Sequence, residues 1–278
     1  MLCILYVITI SATAGLIGFL AEGIMPSTWA RRWLWLGVIV VSMVVPPIYR
    51  FKHTAAIHDV SIVHASSWDP LLGRMLVVSM WISCALAVAQ VLRVWYLIHS
   101  ARRAPAIVDG VESIVTDSLG PATIGVIRSR VLIPRWVLAL PAVQRRYVLR
   151  HEQEHRDAHD TLLLFLASLA GVLAPWNLPI WWQLRRLRLA VEMDCDRRVV
   201  AALGDAHAYS ALLLKVAEAA SRGAALQPAL LGVGMLEQRL TQLVAPSRRT
   251  IVSRVAAAGL AIGLLYLVFV LPHPVAGH

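Results

Sequence analysis

Two histidines and two glutamates fall within one short stretch, His151-Glu152-Gln153-Glu154-His155. On a helix, four residues advance about 40° around the axis and about 6 Å along it, so both imidazoles face one point. Glu152 then lies on an adjacent face. This is the HExxH arrangement, in which paired imidazoles hold zinc and zinc draws the pKa of a water toward about 7. The glutamate takes that water's proton as it attacks a peptide carbonyl. A pentapeptide of this kind also arises by chance on a solvated, charge-rich helix, so its meaning depends on what surrounds it.

Catalytic zinc takes three protein ligands and keeps one position open. Downstream, Glu192-Met193-Asp194-Cys195-Asp196 places two carboxylates four residues apart on one helix face. Glu192 is the candidate third ligand. Asp196 is the candidate acceptor for the other ring N–H of a ligating histidine, His151 by preference, which would fix its tautomer. Asp194 and Cys195 compete for the third position, the thiolate because it binds zinc well. His159 would stand about 12 Å up the helix from His151, too far to join unless the helix stops. It reads as a partner of Asp160 or of solvent.

The elements that must position these residues follow from the text around them. PAVQRRYVLRHEQEHRDAHDTLLL predicts a helix entered at Pro141. Before it, TIGVIRSRVLIP alternates as a β-hairpin or a pair of short strands would. Ile124, Gly125, Val126 and Ile127 are candidate substrate-binding residues there, since an extended peptide adds to an edge strand through main-chain hydrogen bonds. Residues 161–182 are apolar enough to span a bilayer, but spanning would put His155 and Glu192 on opposite sides. Pro175, Asn177 and Pro179 break the second half, so the segment predicts a membrane-associated hairpin.

The rest of the chain is apolar. It is 58% hydrophobic and 15% charged, with a mean hydropathy of +0.67, whereas soluble domains sit near ~45–50% and ~25%. Runs at 1–20, 33–48 (closed by Pro46 and Pro47), 71–98 and 251–271 approach the roughly 20 residues a helical span needs. The N-terminal run lacks a basic leader and reads as an uncleaved span. The expected organisation is three transmembrane helices over 1–98, a metallopeptidase domain over 99–250, and a last transmembrane helix with a short tail over 251–278. The expected fold class is mainly α, a multi-pass membrane protein carrying a small α+β metallopeptidase domain. The net charge of +10 is nearly all arginine. Nine arginines lie between 99 and 160, which predicts a cytoplasmic domain with the N-terminus outside the plasma membrane. His53, His58 and His64 then fall on the far side. No basic stripe interleaved with aromatics favours direct nucleic-acid binding. Cys3, Cys84 and Cys195 form no CxxC and imply no disulfide framework.

LRHEQEH, followed by PWNLPIWWQLRRLRLAVEMDCDRRV, resembles the BlaR/MecR family of membrane metallopeptidases. LGPATIGVIRSRVLIPRWVLALP resembles that family's strand-bearing entry to the site, and MLEQRLTQLV its later helix. The resemblance covers about residues 70–250, with Leu178 standing between Asn177 and Pro179 as a small departure. It implies a gluzincin fold with Zn2+ and regulated proteolysis. The implied target is a cytoplasmic winged-helix repressor of the BlaI/MecI type, with self-cleavage as a further expectation. The chain ends at His278 without the penicillin-binding domain of the sensor members, so direct β-lactam sensing is not expected. Two other readings compete. One is a quality-control or processing protease of the HtpX/prenyl-protease type, which shares the HExxH and GluxxxAsp patterns. The other is a zinc-holding membrane scaffold without catalysis, for which Glu152 would have no use.

Overall fold

The computed structural model describes residues 2–26, 30–54, 69–100, 106–116, 120–223, 229–244 and 251–270. Among these it contains ten helices and one four-stranded sheet. The chain divides into two units. One comprises Met1–Gln90, Leu166–Arg188 and Arg249–His278; the other comprises Val91–Phe165 and Leu189–Arg248.

The first unit holds α1 (Leu2–Ile24), α2 (Arg31–Thr54), most of α3 (Asp69–Ser100) and α10 (Ile251–Val270). α1 packs against both α2 and α10. Ile4–Ile24 and Arg31–Ile48, 21 and 18 residues with mean hydropathies of 2.1 and 1.4, are long and apolar enough to cross a membrane. The corresponding stretches of α3 and α10, Gly73–Ala89 and Val255–Leu264, are shorter. Trp81, Leu86 and Ile262 are each more than 60% exposed, an outward apolar surface that suits lipid rather than water. α2 does not end at its prolines. Pro46 and Pro47 lie inside the helix, as apolar helices tolerate where neighbours satisfy the freed carbonyls.

Polar side chains cross-link this unit from within. Gln183, on the first half of α7 (Leu178–Leu203), donates from Nε2 to the Ser11 carbonyl at 2.7 Å and to Ser42 Oγ at 3.0 Å. Asn177, in the turn before α7, donates to Ser11 Oγ at 2.8 Å. All four residues are fully buried. Near the end of α1, the buried Glu22 accepts from Trp35 Nε1 at 3.0 Å and pairs with Arg186 and Arg31. A buried carboxylate needs such partners.

In the second unit, β1 (Ala106–Val108) and β2 (Val111–Thr116) form an antiparallel hairpin closed by Asp109 and Gly110. Both turn residues have positive φ (48° and 83°), as a tight two-residue turn requires. β3 (Ala122–Ile124) and β4 (Arg130–Pro134) form the expected second hairpin, with Thr123 opposite Val131. β2 and β4 run parallel, giving the order β1-β2-β4-β3 with β3 at an edge. Gly125 turns the second hairpin at φ 102°, where a Cβ would meet the Arg128 carbonyl oxygen at 2.5 Å. Val131, Ile133 and Val137 of β4 and α4 (Arg135–Leu138) pack on Tyr147, Val148 and Leu149 of α5 (Ala142–Asp157). The same core takes in Val199 of α7, Leu212 of α8 (Ala206–Gly223) and Leu236 of α9 (Ala229–Val244).

The long helix expected from Pro141 onward is broken. α5 stops at Asp157, His159 takes a left-handed φ of 55°, and α6 (Asp160–Leu173) begins at Asp160. α6 has 14 residues, about 21 Å of rise, too short to cross a hydrocarbon core of about 30 Å unaided. A short turn through Pro175 and Asn177 then leads into α7.

Candidate metal centre

α5 and the second half of α7 carry the site, and both lie in the second unit. On α5 the i, i+4 spacing brings His151 and His155 together, ring centroids 4.7 Å apart and Nε2 atoms 3.2 Å apart. Glu192 on α7 places Oε2 3.6 Å from His151 Nε2 and Oε1 3.7 Å from His155 Nε2. Tetrahedral bonds of about 2.0–2.1 Å separate ligand atoms by roughly 3.3 Å, so these three groups fit one zinc-sized ion.

The opposite ring edges are tied down. His155 Nδ1 donates to Asp160 Oδ2 at 2.9 Å. His151 Nδ1 donates to the Tyr209 hydroxyl at 2.9 Å, and that hydroxyl donates to Asp196 Oδ1 at 2.7 Å. With both Nδ1 atoms carrying protons, the two Nε2 lone pairs converge, and a proton or a metal ion between them relieves the repulsion. The donor set therefore suits a divalent metal. Electrostatics agree. Burial opposes charge on His151, but Cys195 and Glu192 outweigh it and hold its pKa well above the ordinary value. Burial opposes charge on His155 too, yet the Asp160 and Cys195 contacts push it up to about 10 against the repulsion of His151. Burial would raise the Glu192 carboxyl, but Arg239 and the two imidazoles hold it well below the usual carboxylate range. The cluster as a whole demands positive charge.

His151, His155 and Cys195 also present ligand atoms within 4.8 Å of one another. The thiol, however, sits 3.2 Å from His151 Nδ1 and 3.4 Å from its carbonyl oxygen, behind the ring. Glu192 faces the cavity lined by both histidines, whereas Cys195 is fully buried in the core. The geometry favours the carboxylate. Asp194 is buried against Arg197 at 3.3 Å.

Glu152 lines the same cavity and is 5% exposed. Thr123 Oγ1 lies 2.9 Å from Glu152 Oε2 and 2.8 Å from the Glu152 carbonyl oxygen, so its single hydrogen serves two acceptors. The sheet is thereby hooked to the helix. Pro121, Ala122 and Thr123 form one wall, and Val148, Leu164, Leu212, Leu213 and Val216 supply apolar lining. The cavity holds about 350 Å³, room for one or two side chains.

Several expectations need correction. Ile124 closes β3, but Gly125, Val126 and Ile127 lie in the turn, with Ile127 86% exposed. The strand residues beside the cavity are Ala122 and Thr123. Asp196 stands 3.5 Å from His151 Nδ1, and Tyr209 relays the contact. Asp160 serves His155 and Arg198, and its placement depends on the helix break at His159. His58, His64, Arg102 and Arg103 lie outside the described residues. Tyr209, Asp160 and Arg239 carried no spacing signal in the sequence.

Residues 68–243 match the family model described as BlaR1 peptidase M56. Over 83 residues, 30% of this chain, the sequence is 28% identical to the regulatory protein BlaR1 of Bacillus licheniformis. The matched stretch spans 14% of that relative's length.

Proposed function

The chain belongs to the BlaR1 peptidase M56 family, and from that premise we propose that it is a zinc-dependent integral-membrane endopeptidase of gluzincin type. The observation that carries the reading is the convergence of His151 Nε2, His155 Nε2 and the Glu192 carboxylate at a cavity that also holds Glu152. A divalent metal held there supplies Lewis acidity to a substrate carbonyl. Asp160 and the Tyr209–Asp196 pair keep both imidazoles in the tautomer that offers Nε2. In this reading Glu152, which lines the same cavity, takes the proton of an attacking water and passes it to the leaving amine. β3, an edge strand beside the cavity, offers main-chain groups to an extended substrate.

The substrate we propose is a cytoplasmic transcriptional repressor of the winged-helix BlaI/MecI type, with the chain itself as a second target. α1, α2, α3 and α10 are proposed as spans and residues 161–182 as a membrane-associated hairpin, on the strength of their apolar outward surfaces. The metallopeptidase part then lies on the cytoplasmic side.

Metal analysis and repressor cleavage test the proposal together. Wild type is expected to hold about one zinc per chain, and His155→Ala and Glu192→Ala to lose it. Full zinc retention by Glu192→Ala would pass the third position to Cys195 or Asp194. Glu152→Gln is expected to keep its zinc and to lose about a hundredfold to ten-thousandfold in cleavage rate. If Glu152→Gln removed the repressor from cells as fast as wild type at equal protein level, the peptidase reading would be wrong.

A further inference from the structure

Arg239 reaches the centre from α9, far along the chain, and its side chain lines the same cavity. Its Nε and Nη2 donate to Asp196 Oδ2 and Oδ1, each at 2.7 Å, and its Nη1 stands 3.0 Å from Glu192 Oε2. The side chains of Asp196, Arg239 and Glu192 are 2%, 14% and 28% exposed, so the cation bridges a fully buried carboxylate and one at the cavity wall. Two carboxylates four residues apart on one helix repel each other. A guanidinium is a rigid planar fork. Once two of its N–H groups are fixed on Asp196, the direction of the third is fixed as well. The two oxygens of Glu192 thus become inequivalent. Oε2, 3.6 Å from His151 Nε2, is ion-paired with Arg239 Nη1, whereas Oε1, 3.7 Å from His155 Nε2, has no such cation beside it among the described residues.

We propose that Arg239 is the positioning residue that restricts Glu192 to a single ligating oxygen, so that one coordination position stays open toward the cavity. A carboxylate binding through both oxygens would take up the space a catalytic ion keeps for its substrate. The inference rests on the reading of Glu192 as a ligand. It differs from a plain anchoring role for α9, because anchoring predicts a loss of stability and no change at the ion.

The test uses the full chain in detergent, stripped of metal and titrated with cobalt(II) alone. Four-coordinate cobalt absorbs several-fold more strongly in the visible than five-coordinate cobalt, so the spectrum reports how Glu192 binds. Wild type is expected to give the intense band. Arg239→Ala is expected to bind cobalt about tenfold to a hundredfold more weakly, with a visibly weaker band. Arg239→Lys, which keeps the charge and loses the fork, is expected to regain part of the affinity and little of the intensity. Should Arg239→Ala fail to fold, Arg239→Lys with an unchanged circular dichroism spectrum carries the test. A wild-type band and affinity in every folded variant would overturn the proposal, even if Tm fell. Glu192→Ala run alongside separates the two layers. If it binds cobalt as wild type does, the ligand reading fails and the inference falls with it. If it loses cobalt while the Arg239 variants do not change, only the inference fails.

Discussion

The hydroxyl of Tyr209 is a single atom on which two functions meet, since it accepts from His151 and donates to Asp196. Tyr209→Phe removes that atom and keeps the ring, which stacks on Tyr147 at 5.6 Å. Zinc affinity, read by competition with a chromogenic chelator, is therefore expected to fall about tenfold to a hundredfold with little change in secondary structure. Thr123→Val removes the hydroxyl shared between the Glu152 carboxylate and its carbonyl. A hydrogen bond to a charged group is worth about 1.5–3 kcal/mol, so a loss of at least about tenfold in turnover is expected at unchanged zinc content. At this scale His151, Glu152 and His155 were legible because helical periodicity alone makes neighbours of them. Glu192 and Asp196 were legible as a pair on one face for the same reason. Tyr209 and Arg239 were not, because they come from other helices and their residue types carry no spacing of their own. Asp160 was hidden differently. In an unbroken helix a residue five positions past His155 points about 140° away, and only the left-handed His159 turns it back.

Arg145 joins two elements that the sequence did not pair. It grips Asp109 in the β1–β2 turn through two hydrogen bonds, of 2.6 and 3.0 Å, and also reaches the Leu138 and Leu140 carbonyls before α5. The Asp109–Gly110 turn is a strong hairpin signal, but the strand before it has three residues, too few for alternation to stand out. Arg145→Ala is expected to lower Tm modestly, since the pair is exposed. The hydrogen bond from Arg145 holds the Asp109 carboxyl below its ordinary pKa. Stability from a depressed carboxyl is present above the unfolded pKa of about 3.9 and is lost as pH falls through the lower folded value. The Tm gap between wild type and Arg145→Ala should thus be constant near neutrality and shrink below about pH 4. A gap that widened on acidification would refute this assignment. The second hairpin was legible, but apolar residues in its turn continue the alternation and hide where β3 ends. Ile127→Pro, in that exposed turn, is expected to leave turnover unchanged, as measured on any cleaved substrate.

The whole molecule follows the composition closely, with apolar helices in one unit and the charged, strand-bearing text in the other. The proposed topology makes a direct prediction. Single cysteines at Arg146 and Arg185, both exposed, in a background without Cys3 and Cys84, should react with an impermeant maleimide from the same side of sealed vesicles. Reaction from opposite sides would refute the hairpin over 161–182. What composition cannot convey is how the chain is apportioned. One unit is drawn from three separate segments and the other from two, and both α6 and α7 pass from one unit into the other. Neither unit is therefore a cassette. A crossover that grafted a new membrane part onto this centre at a single point would sever the chain of the other unit. A single exchange of chain therefore cannot replace one unit whole while leaving the other intact.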